Sequence, residues 1–251
     1  MKTVLVTGSQ GFIAKNLTIA LSKITDIKVV GFAKTDDLRS LNKMVLEADF
    51  IYHLAGVNRP QHEDEFRTGN TELTKTITNI LQRGGKATPI VISSSTQAAQ
   101  DNPYGKSKRE AEQAVFAYGQ KCEAPVYVYR LTRVFGKWSR PNYNSVVATF
   151  CHNIANDLPI AISNPGKAVE FVYIDDVVAA FLQVLAGAVS GSQNYLSVSP
   201  IHTITLGALA DKIYQFKNMQ KTSEIPDLSD VFTKKLYATY LFYSLPRAGG
   251  V

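Results

Sequence analysis

Tyr104 and Lys108 stand four residues apart in "NPYGKSKREAEQ". On a helix that spacing puts a phenol and an ammonium on one face, a turn apart. A free tyrosine titrates near roughly pH 10, too high to exchange protons efficiently at neutrality. A neighbouring ammonium favours the phenolate and lowers that value. The pair therefore predicts proton transfer at the phenolic oxygen, with Lys108 also placed to hold a cofactor ribose. Just upstream, Ser93, Ser94 and Ser95 close an apolar run, and each hydroxyl is a candidate to bind a substrate oxygen and orient the proton. Alone, the pair would be equally at home on a surface, with Tyr104 packed on Pro103 and Lys108 solvated. The elements around it decide.

"TGSQGFIAKN" joins the first strand-like run to the first helix-like one. Gly8 permits a tight turn, Gly11 lets a pyrophosphate approach the positive N-terminus of the helix, and Ala14 permits close packing of helix on strand. Two glycines in a turn are weak evidence. Their position between a valine-rich strand and an amphipathic helix makes dinucleotide binding the expectation. The second strand ends "GFAKTDD". An acid at its end would take the ribose hydroxyls and a base would take an extra phosphate. Lys34 falls near that position, with Asp36 and Asp37 slightly later, so NADPH is expected.

Strand and helix signals alternate through the first two thirds, which predicts an α/β fold with a doubly wound parallel sheet. Strands are expected at "TVLVTG", "IKVVGFA", "ADFIYHLAG", "TPIVISSS" and "APVYVYRL", and helices at Phe12 to Ile24, Gly69 to Gln82, Tyr104 to about Tyr118 and Val146 to about Asn156. Between Ala33 and "LRSLNKMVLEA" there is too little chain for another helix and strand. The sheet is thus one unit short there, or carries a very short strand near Thr35. Residues 1–137, with parts of 160–190, are expected to form the dinucleotide-binding domain. Residues 138–251 mostly form a smaller, loop-rich, substrate-binding lobe.

Composition narrows the function classes. The 251 residues carry 27 basic and 21 acidic side chains, a net charge of +6. The basic residues are scattered rather than clustered in a stripe, which favours small phosphate-bearing anions over nucleic acid. Met1 leads through one lysine into "TVLVTG", with no signal-peptide pattern and no bilayer-length apolar run. Cys122 and Cys151 lack metal-ligand spacing. A cytoplasmic protein with free thiols and no bound metal is expected.

Taken together, Gly8-x-x-Gly11-Phe12-Ile13, "HLAG" at 53–56, "SSS" at 93–95 and "PYGKSK" at 103–108 resemble the extended short-chain dehydrogenase/reductases. "FVYIDDVVAAF" at 171–181 resembles a landmark of the family's nucleotide-sugar branch. The resemblance covers essentially the whole chain and implies a Rossmann-type sheet. Within that branch, "ADFIYHLAGVNRP", "SSSTQAAQDNPYGKSK" and "FGKWSRPNYNSVVATFC" resemble the capsule-sugar reductases that are joined to a metal-binding cupin epimerase domain. By that resemblance Tyr104 is the general acid, Lys108 its partner, and Ser95 the aligned hydroxyl, with Ser94 and Thr96 as near alternatives. Gly8, Gln10, Gly11, Phe12, Ile13, Lys34, Leu54, Ala55, Gly56 and Ser93 line NADP(H). Val57, Asn58, Arg133, Arg140, Asn142, Asn144 and Ser145 face a UDP-sugar. The implied reaction is NADPH-dependent reduction of the 4-keto group of a UDP-4-keto-6-deoxy-N-acetylhexosamine. A nucleotide-sugar 4-epimerase with retained NAD, or a non-catalytic dinucleotide-binding protein, is the alternative. A homodimer through the helices bearing Thr71–Gln82 and Tyr104–Tyr118 is implied, as is a cupin-type epimerase partner.

The departures are equally specific. Family dehydratases place an acidic pair after the catalytic hydroxyl, whereas Thr96 and Gln97 follow Ser95. Arg133 replaces the family's asparagine. No cluster of cupin-type His and Glu ligands follows Leu245. His53 reads as a backbone support or cofactor-lining residue, and His62, His152 and His202 read as surface or packing residues. Asn70 resembles a helix asparagine with a structural role, and Arg130 reads as structural at its strand end. Asn144 or Ser145 is expected to cap one helix, and Asp175 or Asp176 another.

Overall fold

The computed structural model describes residues 1–189, 195–222 and 227–245. Its chain contacts divide into two compact units, 1–131 with 177–198, and 132–176 with 199–251.

In the first unit, strand and helix alternate in chain order. They are β1 (Lys2–Thr7), α1 (Phe12–Leu21), β2 (Ile27–Phe32), α2 (Leu38–Glu47), β3 (Phe50–His53), the single turn α3 (Asp64–Phe66), a π-helical turn at Arg67–Glu72, α4 (Leu73–Arg83), β4 (Ile90–Ser95), a 3₁₀ turn at Thr96–Ala99, α5 (Pro103–Cys122) and β5 (Val126–Leu131). The second unit begins with β6 (Arg133–Phe135), α6 (Val146–Ala155) and β7 (Ala168–Tyr173). Helix α7 (Ile174–Leu185) starts there and runs on into the first unit, which β8 (Tyr195–Leu196) completes. Strand β9 (His202–Thr205), α8 (Leu206–Thr222) and α9 (Val231–Ser244) return to the second unit.

The first sheet is six-stranded in the order β2-β1-β3-β4-β5-β8, and every pairing is parallel. Its strands are apolar on both faces, as a sheet covered by crossover helices requires. Val4, Leu5, Val6, Ile51, Ile90 and Val91 are fully buried. Leu41, Ile77, Leu81, Val115 and Tyr118 on α2, α4 and α5 pack on one face. Of the two expectations for the region after Ala33, the shortened sheet is correct. Residues 34–36 form a turn, Asp37 caps α2, and β2 is the sheet's edge. The chain leaves β1 toward β2 on one side and returns to β3 on the other. The carboxyl ends of β1 and β3 therefore flank the crevice where ligands enter folds of this kind.

The second unit has a three-stranded sheet, β6-β7-β9, with β7 parallel to β6 and antiparallel to β9. Its core is aromatic, with Phe135, Phe171, Phe216 and Tyr240 buried against α6, α8 and α9. Strand β7 runs directly into α7, so the expected cap by Asp175 or Asp176 needs correcting. Both lie inside the first turn, Asp176 paired with Lys235 at 2.6 Å and Asp175 with Lys137 at 3.8 Å. A carboxylate there still complements the helix dipole.

Candidate active site

The glycine turn is built as its sequence demands. Gly8 has φ +66°, and a Cβ there would lie 2.8 Å from the Ala55 backbone, so the residue is barred to side chains by conformation and by space alike. Gly11 donates to the Gly8 carbonyl at 2.7 Å and occupies the N-cap of α1 without a side-chain cap; no acid stands in the first turn. The amides of Phe12 and Ile13 thus open an uncapped helix start next to the end of β3, a geometry that accepts a phosphate. Gln10 is exposed beside them. The residues present therefore fit a dinucleotide pyrophosphate.

Lys34 is exposed in the turn after β2. The two acids that competed with it are committed elsewhere. Asp36 accepts from the Ala33 amide at 2.7 Å, and Asp37 accepts from the Ser40 amide at 2.8 Å as the cap of α2.

Tyr104 lies in the first turn of α5. Asn102 caps the helix by accepting from the Gly105 amide at 2.8 Å, and Pro103 occupies the first position, where proline's missing N–H costs nothing. The Tyr104 ring packs on Phe66 of α3, with centroids 5.5 Å apart. One turn on, Lys108 is buried and its Nζ donates to the Ser93 carbonyl at 3.1 Å. The alternation of β4 sets Ser94 on the opposite face from Ser93 and Ser95. Ser94 donates its hydroxyl to Glu112 at 2.5 Å. Ser95 instead accepts from the Gln97 amide at 3.1 Å, leaving its own proton for the Tyr104 phenol, on which it acts as a hydrogen-bond partner. Thr96, the other alternative, is exposed at the start of the 3₁₀ turn.

The expected lowering of Tyr104 by Lys108 is not what the surroundings produce. Burial raises the phenol's pKa, and the Ser95 hydroxyl opposes it. Lys108 is itself pulled down to about 8 by burial, with the Glu112 carboxylate opposing that shift. Desolvation outweighs the Ser95 hydrogen bond at the phenol and the Glu112 charge at the ammonium.

Beneath this pair runs a polar chain that sequence reasoning largely missed. Thr7 Oγ1 accepts from the Ala55 amide at 3.2 Å and contacts His53 Nδ1 at 2.7 Å. His53 Nε2 contacts Thr74 Oγ1 at 2.8 Å, and Thr74 donates to the Asn70 carbonyl at 2.7 Å. With the Thr74 proton committed to that carbonyl, Nε2 must donate and Nδ1 must accept. Burial and the nearby Lys108 hold His53 down to about 3, so it is a neutral spacer. Asn70 Nδ2 donates to the Val57 carbonyl and to Ser107 Oγ, both at 3.0 Å, while Oδ1 accepts from the Val57 amide at 2.9 Å. The π turn presents Asn70 to Val57 in this way and fixes the segment Leu54–Val57. Gly56 faces Lys108: a Cβ there would sit 3.0 Å from Nζ. Asn58 is exposed just beyond.

Glu112 was also missed. It is fully buried and receives Arg130 in a bidentate pair, Nε at 2.9 Å and Nη2 at 2.7 Å. Arg130 in turn lies 3.5 Å from the ring centroid of Tyr195. The signal in the sequence is its place four residues after Lys108, on the same face of α5.

The polar cluster of the second unit is mostly structural. Ser145, not Asn144, caps α6 by accepting from the Ala148 amide at 3.2 Å. Asn142, at φ +54°, donates its amide N–H to Thr149 and its side chain to Asn153. Arg140 rests over the Tyr143 ring, and Arg133 and Asn144 are exposed. Among the described residues no three His, Cys, Asp or Glu side chains gather to hold a metal, and no helix is long and apolar enough to cross a membrane.

A parallel sheet with a glycine turn at its switch point and a Tyr–Lys pair on the helix after β4 defines a class, and the chain belongs to it: the NAD dependent epimerase/dehydratase family matches residues 4–196. Within that class it is 45% identical over 240 residues to a UDP-2-acetamido-2,6-beta-L-arabino-hexul-4-ose reductase of Pseudomonas aeruginosa, spanning 96% of this chain and 64% of the relative. It is 26% identical over 234 residues to a dTDP-D-glucose 4,6-dehydratase of Mus musculus, covering 73% of this chain and 64% of that protein. Among solved structures, the capsular polysaccharide assembling protein CapF from Staphylococcus aureus superposes with a TM-score of 0.88 at 40% identity, covering 97% of this chain and 66% of CapF. The chain thus spans about two thirds of the length of these relatives. A UDP-glucuronic acid 4-epimerase from Bacillus cereus shares the fold, with a TM-score of 0.82 at 18% identity and 96% of each chain covered.

Proposed function

We propose that this chain reduces the 4-keto group of a UDP-4-keto-6-deoxy-N-acetylhexosamine with NADPH, in the biosynthesis of N-acetyl-L-fucosamine for capsule or O-antigen. The observation that carries the reading is the convergence of Tyr104, Ser95 and Lys108 at the carboxyl end of β4 and the start of α5. The Pseudomonas relative, named as a reductase of a UDP-linked hexul-4-ose, supports the substrate class. Thr96 and Gln97, in place of an acidic pair, argue against elimination of water.

Bound NADPH supplies the hydride that reaches the sugar's carbonyl carbon. The chain's residues do the rest. Ser95 donates to the carbonyl oxygen and orients it toward Tyr104. Tyr104, kept protonated by its burial, gives its proton to that oxygen as negative charge develops there. Lys108 stabilises the phenolate left behind and helps return a proton to it. The α1 amides and Gly8 hold the pyrophosphate. Leu54, Ala55 and Gly56 line the nicotinamide half, fixed by Asn70 and His53. Lys34 pairs with the 2′-phosphate, a role that Asp36 and Asp37, tied to the backbone, do not contest. The chain acts as a homodimer through α4 and α5, and a cupin-type epimerase supplies its substrate.

Loss of NADPH absorbance with a panel of UDP-4-keto-6-deoxy sugars tests the reading. Turnover is expected with the N-acetylated hexulose and NADPH. No NADPH consumption with any member would refute it.

A further inference from the structure

The Tyr104–Lys108 pair is held by a second set of contacts one turn further along α5. Lys108 and Glu112 share a face of that helix, and each is bonded to one of two consecutive residues of β4. Lys108 meets the Ser93 carbonyl at 3.1 Å and Glu112 meets the Ser94 hydroxyl at 2.5 Å. Arg130 of β5 closes on the same carboxylate with two bonds and stacks on Tyr195 of β8. Two strands of the first unit thereby meet α5 at one buried side chain, and β8 backs the arginine that reaches it. A fully buried carboxylate is costly unless every oxygen is satisfied, and here three donors reach the two oxygens.

We infer that Glu112 is a positioning residue for the Tyr104–Lys108 pair: through Ser94 and Arg130 it fixes the roll of α5 on the sheet, and its buried negative charge keeps the Lys108 ammonium protonated. The inference deepens the reductase reading and takes its functional meaning from it.

The surroundings of Lys108 assign the charge role to Glu112. His53 faces it from β3 and is neutral, and Tyr104 on its own helix is a neutral, half-buried phenol. Asn70 offers an uncharged amide from the π turn. The other charged residues of this stretch of α5 are engaged elsewhere, Arg109 with the Ala98 carbonyl and Glu110 with Thr71. Glu112 is the group whose charge opposes the desolvation of Lys108.

The test reads Lys108 in the protein alone, so a failure of the reductase reading leaves it interpretable. Protein labelled with ε-¹³C lysine is titrated by NMR, and the Lys108 signal is assigned by its loss in Lys108→Arg. The parent midpoint is expected near 8. Glu112→Gln preserves shape and most hydrogen bonds but removes the charge, and should lower the midpoint by roughly one pH unit. An unmoved midpoint in folded Glu112→Gln overturns the charge role. Should that variant not fold, Glu112→Asp decides: a midpoint within about 0.3 units of the parent supports the role of charge, and a fall of about a full unit with the charge still present overturns it. The mechanical role is read in Ser94→Ala by hydrogen exchange. Faster exchange of the 104–108 amides is expected, and unchanged exchange overturns it.

Discussion

Replacing Tyr104 by phenylalanine removes one oxygen and leaves the rest of the site in place. The ring keeps its contact with Phe66 at 5.5 Å, and Ser95 still accepts from the Gln97 amide at 3.1 Å while its hydroxyl proton loses the phenol oxygen. Loss of a single neutral hydrogen bond of this kind costs about 1 kcal/mol of stability, and the fold should survive with a slightly lower melting temperature. Turnover is affected on a different scale. A positioned general acid contributes roughly a hundred- to ten-thousandfold in rate, equivalent to about 2.7–5.4 kcal/mol of barrier. The proposed pyrophosphate site is on the α1 turn, so the NADPH dissociation constant should stay within roughly threefold, or about 0.6 kcal/mol. Stopped-flow absorbance of NADPH gives the rate, NADPH fluorescence gives the binding and circular dichroism gives the stability. If Tyr104→Phe keeps more than about a tenth of the parent kcat/KM, the phenol is not the proton donor and the proposed chemistry is wrong.

Two further outcomes can be checked at modest effort. Lys34→Glu should reverse the cofactor preference, weakening NADPH by roughly tenfold or more, about 1.4 kcal/mol, while NADH binding holds or improves; fluorescence titration with both cofactors reads this, and an unchanged NADPH constant removes Lys34 from the phosphate site. The His53 pKa is depressed to about 3 in the folded chain from an unfolded value near 6.5, so its contribution to stability is fully present above the unfolded value and is lost as pH falls toward 3. By pH 4.5 roughly 2–3 kcal/mol should have gone. Urea unfolding at pH 7 and 4.5 measures that loss, and a His53→Asn protein should show a smaller difference.

The first elements of the sheet were readable in the sequence because local and tertiary demands agree there. β1, its glycine turn and α1 follow from a buried apolar run, two glycines and an amphipathic stretch, and the Tyr104–Lys108 spacing predicted their shared face. Strand alternation sets Ser94, which meets Glu112, apart from Ser95, which meets the phenol, but Ser93 shares the face of Ser95, and the preference for Ser95 came from the family resemblance. Other features were beyond local reading. The π turn at Arg67–Glu72 carries Asn70, whose side chain bonds the backbone of Val57 thirteen residues earlier, a contact that no local pattern announces. β8 has two residues, too few for any periodic signal. Asp175 and Asp176 looked like caps because nothing in the sequence marks a strand that passes into a helix without a loop. The acidity of Tyr104 was misjudged because spacing reveals a neighbouring charge but not the loss of water around both groups.

The chain from Ala55 through Thr7, His53 and Thr74 to Asn70 has a single direction, and that gives the molecule an internal gauge. An imidazole proton pointing at a buried threonine is sheltered from water. Its exchange with solvent requires β1, β3 and α4 to separate at their ligand-facing ends. The lifetime of that one downfield ring signal therefore clocks how often the floor of the crevice opens, independently of whether anything is bound above it.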